Sequence, residues 1–156
     1  MKRTFLIAIA ATALLNFGCM EKKNESNNAI FKKGDLLSSD IITGKSWHNL
    51  LVEHDTTFTT VVGNEQFEAG SRNVWHSHPG GQILIITDGV GYHQIKGQPV
   101  QVVRKGDVVK CPPDVVHWHG ASKDSDVSQI YILPNSEKGI VKWFDKVTDE
   151  EYNNIK

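Results

Sequence analysis

The stretch from Gly70 to Ala121 constrains this chain most. It reads GSRNVWHSHPGGQILIITDG, then a hairpin, then GDVVKCPPDVVHWHGA. His76 and His78 are two apart in a β-rich run, and strand side chains alternate faces, so both rings point the same way. Gln82 follows His78 past Pro79-Gly80-Gly81, a segment suited to turning the chain into the next strand. His117 comes from a later strand. Three imidazoles and one amide oxygen converging from separate strands suit one divalent ion such as Mn, Fe, Ni or Zn. The bland alternative is a pair of surface histidines on an exposed strand. Trp75, directly before His76, argues against it, because strand alternation sends its indole to the opposite face to pack there.

Strand signals recur on both sides of this stretch. Trp47 to Val52 and Thr57 to Phe67 are apolar and β-branched. After the turn at Glu68 to Ser71 come Arg72 to His78, Gln82 to Thr87, Gly91 to Ile95, Val100 to Val103, Val108 to Cys111, Val116 to Ala121, Val127 to Leu133 and Ile140 to Phe144. Their separators are short and rich in Gly, Pro and Asp. Many short strands with regular turn punctuation predict an all-β sandwich or barrel. Thr148 with Glu151 forms a capping-box pattern for a short C-terminal helix. Ile30 to Ser39 is read as a weak edge strand given to a neighbouring subunit.

These residues resemble a cupin. The first motif of that family, G-x5-H-x-H-x3-E-x6-G, is met by Gly70, His76, His78, Gln82 and Gly89, with Gln for the usual Glu. The second, G-x5-P-x-G-x2-H-x3-N, is met by Gly106, Pro112 and His117, with Asp114 and Ala121 at the remaining places. WHSHPGGQ, HWHGA and the tail VKWFDKVTDEEY are similar to a narrower group, the small cupins related to carboxymuconolactone decarboxylase-associated proteins and manganese-dependent hydroxynitrile lyases. The resemblance covers roughly residues 47–152. It implies a double-stranded β-helix, or jelly-roll barrel, over residues 30–156. It also implies one metal ion, manganese first, held by His76, His78, Gln82 and His117, and a homodimer. A neutral Gln in the carboxylate slot leaves the ion's charge uncompensated, which favours an anionic or oxygen-bearing substrate.

The N-terminus is a targeting segment. Lys2 and Arg3 precede an apolar run from Phe5 to Leu15, short for a membrane span and suited to a signal peptide. Gly18-Cys19 resembles a loose lipobox, with Asn16 departing from the usual Leu. The expectation is a lipoprotein: residues 1–18 removed, Cys19 lipidated, 19–29 a tether, and the domain facing the periplasm from the cell envelope. An ordinary signal peptide or a short membrane anchor is the alternative. Removal of residues 1–18 leaves 138 of 156 residues, one domain of ordinary size. The mature chain has 15 basic against 18 acidic side chains and no basic block, so nothing points to nucleic acid as a partner. With Cys19 lipidated, Cys111 is left without a disulfide partner and reads as a small buried hydrophobe.

Two residues are candidate proton movers. His119 shares strand parity with His117 and is either a satisfied core histidine or an acid–base group beside the metal. Glu65 lies on the strand leading into the first motif. It is either solvated or, if its register turns it inward, a carboxylate base. The resemblance implies a further active-site His twelve residues after the last ligand, where this chain has Gln129, and small or apolar residues at Gly63 and Glu65. Gly63 is therefore expected to widen the pocket, and Glu65 to replace the missing base, ionised by the nearby cation. Arg72 reads as a surface charge or a carboxylate clamp. Trp47, Phe58, Phe67, Tyr92 and Tyr131 read as core or pocket wall. Two functions fit: a metal-dependent enzyme (lyase-, isomerase- or dioxygenase-like) on a small oxygenated substrate, or a non-catalytic envelope protein binding a small ligand or metal.

Overall fold

A computed structural model describes residues 30–154, so the expected signal peptide, Cys19 and the expected tether lie outside the described residues. The strands are β1 (Asp35–Leu36), β2 (Ile42–Thr43), β3 (Ser46–Val52), β4 (Thr60–Phe67), β5 (Arg72–Asn73), β6 (His76–Ser77), β7 (Gln82–Ile95), β8 (Gln101–Arg104), β9 (Val108–Cys111), β10 (His117–Ala121), β11 (Val127–Pro134) and β12 (Lys142–Trp143). One short helix, α1 (Asp149–Asn153), follows. The main path runs β1-β3-β4-β11-β7-β10-β5-β2, and the sheet curls into a half-barrel. All the strand pairs are antiparallel.

β7 is the hinge of this curl. The sequence suggests two strands broken at Asp88-Gly89, but the chain runs through as one strand of 14 residues. Its first part pairs with β9 and β11, and its second with β8 and β10. Gly89 has φ 74°, and a Cβ there would meet the Asp126 carbonyl oxygen at 1.9 Å. A glycine is needed at the corner where the strand changes sheets.

Two apolar clusters hold the half-barrel. Phe67, Leu84, Ile86, Val103, Val109 and Val127 belong to the cluster between its walls. Trp75 and Trp118 pack edge to face at 6.5 Å on the far side, with Tyr92, Val147 and Tyr152. The alternation that turns His76, His117 and His119 inward thus turns both tryptophans outward, under α1. Thr148 caps α1 as its sequence predicts: its hydroxyl accepts from Glu151 N–H and the Glu151 carboxylate from Thr148 N–H.

The lead-in contributes β1, which pairs with β3 of the same chain. Two readings of the sequence change. Phe58 is 62% exposed and lines no core. Arg72 is buried: it donates to Val147 O at 3.0 and 3.2 Å, pairs with Asp149 at 2.6 Å and stacks on Tyr152. Its guanidinium ties the C-terminal segment onto β5, a role for a planar multi-donor group that local sequence does not reveal.

Candidate metal centre and its pocket

β6 and β10 lie side by side with His76 opposite His117. Their rings approach to 4.2 Å, and His78 stands 5.0 Å from His76 and 5.7 Å from His117, centroid to centroid. Gln82 opens β7 and brings Oε1 to 2.9 Å from His117 Nε2. The four residues predicted as ligands are therefore brought together, and all are buried.

Each of the three rings is held by its other nitrogen. His76 Nδ1–H donates to Val74 O at 3.0 Å, His78 Nδ1–H to Ile140 O at 2.6 Å and His117 Nδ1–H to Val115 O at 2.9 Å. A proton on Nδ1 leaves Nε2 with its lone pair, the tautomer a metal ligand needs. His78 Nε2 is buried with no hydrogen-bond partner. His117 Nε2 and Gln82 Oε1 are then two acceptors facing one another. A cation satisfies the orphaned nitrogen and the facing acceptors together, so the donor set fits a divalent ion. Burial lowers the proton affinity of all three rings, His117 to about 3. Burial therefore favours the neutral form that a ligand must have.

His119 also points inward, 5.2 Å from His76, with ring nitrogens close enough to join His76 and His117 in a cluster. Its nitrogens have other partners: Asn73 Nδ2 is 3.0 Å from Nε2, and Gln129 Nε2 is 2.8 Å from Nδ1. Asn73 also accepts from the His119 backbone N–H at 2.9 Å. Among the described residues the buried imidazole nitrogen without a partner belongs to His78, not to His119.

Glu65 points inward. β4 pairs with β3 and β11 so that Glu65 lies opposite both His48 and Gln129. Its carboxyl is 3.2 Å from Gln129 Nε2 and 3.3 Å from Ser46 Oγ, each placed to donate to it. Burial raises its pKa to about 7, against the pull of those two donors. The expectation of a fully ionised carboxylate thus holds only if a nearby cation adds its own pull.

His76, His78, Gln82, His119, Asn73 and Glu65 all line one cavity of about 180 Å³. Its walls are apolar and include Leu37, Ile41, Val61, Leu133, Val141 and Trp143. A polar floor under apolar walls suits a compact organic molecule with one or two oxygens. Gly63 does not widen this pocket as expected. A Cβ on Gly63 would lie 2.2 Å from Tyr131 Oη, so the space it leaves is filled by the Tyr131 ring. Tyr131 hydrogen-bonds His48 and stacks on it at 5.6 Å, and both line the cavity. Burial, with Glu65 nearby, pushes the phenol pKa up, and burial pushes the His48 pKa down, so both groups are neutral at neutral pH. His48, Asn73 and the bridging contact of Gln129 are absent from the sequence reading. Only long-range pairing places them, β3, β4 and β11 for His48 and Gln129 and β5 beside β10 for Asn73, since single residues of these types carry no spacing signal.

Comparison with known proteins agrees with this architecture. Residues 63–133 match the family model described as a cupin domain. An (R)-mandelonitrile lyase from Granulicella tundricola is 42% identical over 86 residues, 55% of this chain; the chain spans 66% of that lyase's length. A cupin-like protein of known crystal structure from Thermotoga maritima is 47% identical with a TM-score of 0.78, over 80% of this chain and 95% of that one. A DMSP lyase from Ruegeria pomeroyi, 16% identical with a TM-score of 0.57 over 74% of this chain and 59% of its own, is similar in fold alone. The two histidine motifs on adjacent strands, the curled antiparallel sheet and these alignments place the chain in the cupin superfamily.

Proposed function

We propose that this protein is a metal-dependent cupin enzyme that cleaves or rearranges a small oxygenated organic substrate, with cyanohydrin cleavage as the first reaction to test. His76, His78, Gln82 and His117 would hold one divalent ion, manganese first among Mn, Fe, Ni and Zn. The ion would supply Lewis acidity toward a substrate hydroxyl or carbonyl oxygen. The observation that carries the reading is the buried carboxyl of Glu65 in the same cavity as His76 and His78, whose Nδ1 atoms are bound to backbone carbonyls and whose Nε2 atoms are left to face a cation.

The chain's own part in such a reaction follows from that cavity. The apolar walls receive the body of the substrate and exclude water. Glu65, with a pKa near neutrality, takes the proton of a substrate hydroxyl as the adjacent C–C bond breaks. For a cyanohydrin the departing cyanide carries the bond pair and is protonated to hydrogen cyanide, leaving an aldehyde or ketone. His119, held by Asn73 and Gln129, is the second candidate for that proton transfer. The 42% identity to a mandelonitrile lyase supports this choice of substrate class. Gln129, at the place where the lyase-type relatives are expected to carry His, favours a second reading: a non-catalytic protein that binds a small ligand or metal in the same cavity.

The test is to purify the mature chain, measure its metal content, load it with Mn²⁺ and follow release of benzaldehyde from (R)- and (S)-mandelonitrile. Metal-dependent, enantioselective release supports the lyase reading. Saturable binding of mandelonitrile without turnover supports the binding protein. We propose further that Cys19 is lipidated and holds the domain at the cell envelope, an inference from residues 1–28 alone.

A further inference from the structure

We propose that His93, Cys111 and His117 form a second metal site, softer than the first and sharing His117 with it. The sheet pairings bring these residues together. β9 pairs with β7 so that Cys111 lies opposite Gln82, and β10 pairs with β7 so that His93 lies opposite His119. Residues directly opposite on an antiparallel pair share a face, so Cys111 and His93 point inward with Gln82 and His119. His93 Nε2 reaches Cys111 Sγ at 3.0 Å, and the His93 ring lies 5.6 Å from the His117 ring. One ligand atom from each of the three residues lies within 4.8 Å of the others, and all three residues are buried.

The donors differ in kind from those of the first set. A thiolate with two imidazoles selects Zn²⁺, Co²⁺ or Cd²⁺ over Mn²⁺, whereas three imidazoles and an amide oxygen accept harder ions. Burial pushes the Cys111 thiol up to about 12, so the sulfur keeps its proton at neutral pH until a cation displaces it, and binding releases that proton to solvent. Burial holds His93 down at about 4, so its ring is a neutral ligand. A separate cavity of about 210 Å³ is lined by His93, Ile95, Gln98, Gln101, Val109 and Lys110, and shares no lining residue with the first. Because His117 is common to both sets, a soft ion on Cys111 draws a ligand away from the first. Excess zinc or cobalt then opposes manganese loading. The competing explanation is that Cys111 and His93 are only a buried hydrogen-bonded pair.

Cobalt distinguishes these. In His78→Ala protein, which impairs the first set and leaves the second intact, one equivalent of Co²⁺ should give a thiolate-to-cobalt charge-transfer band in the near ultraviolet. Adding Cys111→Ser should abolish the band and weaken Co²⁺ binding at least tenfold. The same absorption spectrum with and without Cys111 overturns the proposal. If the serine variant does not fold, X-ray absorption of zinc-loaded His78→Ala protein serves instead. A sulfur neighbour at about 2.3 Å supports the site, and a shell of nitrogen and oxygen alone overturns it. Neither readout depends on the enzyme's activity, so failure here is distinct from failure of the catalytic reading.

Discussion

Gln129 places its carboxamide nitrogen 3.2 Å from a carboxyl oxygen of Glu65. The same nitrogen lies 2.8 Å from His119 Nδ1, so one amide joins the two candidate proton movers. A carboxamide has no proton equilibrium at neutral pH, and its function here is to hold its neighbours. If Glu65 is the base, Glu65→Gln should lower turnover on the order of a hundredfold or more while metal content is unchanged. The rate of the wild type should also fall as pH drops through the Glu65 pKa. Unchanged turnover would leave His119 as the remaining candidate.

Glu65 also makes a stability prediction. Its pKa rises from 4.5 to about 7 on folding. Between those values the folded chain keeps a proton that the unfolded chain releases. Stability therefore falls as pH rises through this window, and the cost is fully present above pH 7. The shift corresponds to roughly 3 kcal/mol. In chelator-treated protein, Glu65→Gln should melt at a higher temperature than wild type at pH 8, and the gap should close below pH 5. Parallel melting curves at both pH values would contradict a buried, raised carboxyl.

The metal set is tested by deletion. His76→Ala and His117→Ala each remove an imidazole that three other donors depend on, so each should lose most bound metal by elemental analysis after gel filtration. His119→Gln should keep it, because the ring nitrogens of His119 already face Asn73 and Gln129. Full occupancy in both alanine variants would end the assignment.

Gly63 and Tyr131 are coupled by contact. An alanine at 63 would drive its Cβ to 2.2 Å from the phenol oxygen, so the ring must move and its contact with His48 must break. Gly63→Ala should cost about 1–3 kcal/mol in denaturant unfolding. Most of that loss should disappear in the Tyr131→Ala background. An equal loss in both backgrounds would mean that backbone freedom, not the ring, is what Gly63 provides.

The proposed anchor has its own measurement. Mass spectrometry of the mature protein should find acyl groups on Cys19, and Cys19→Ser should accumulate as unlipidated precursor or as released protein. An unacylated mature N-terminus in the wild type would discard the lipoprotein reading.

The sequence by itself determined the metal-binding candidates. Residues two apart on a strand share a face, and Pro-Gly-Gly turns the chain, so His76, His78 and Gln82 are grouped by local geometry alone. The same alternation assigns Trp75 and Trp118 to the other face, and the Thr148–Glu151 cap is equally local. Long-range pairing decided the rest. Whether Glu65 meets solvent or the cavity depends on the register of β4 against its sequence neighbour β3 and against β11, which is far along the chain. That register also sets Gln129 beside Glu65 and fills the gap at Gly63 with Tyr131. Arg72 became a buried tie only because the C-terminal segment returns across β5. His93 and Cys111, 18 residues apart, meet because β7 bends at Gly89 and pairs with β9 on one side and β10 on the other. Local periodicity fixes which face a side chain takes; only the closing of the sheet fixes what stands opposite it.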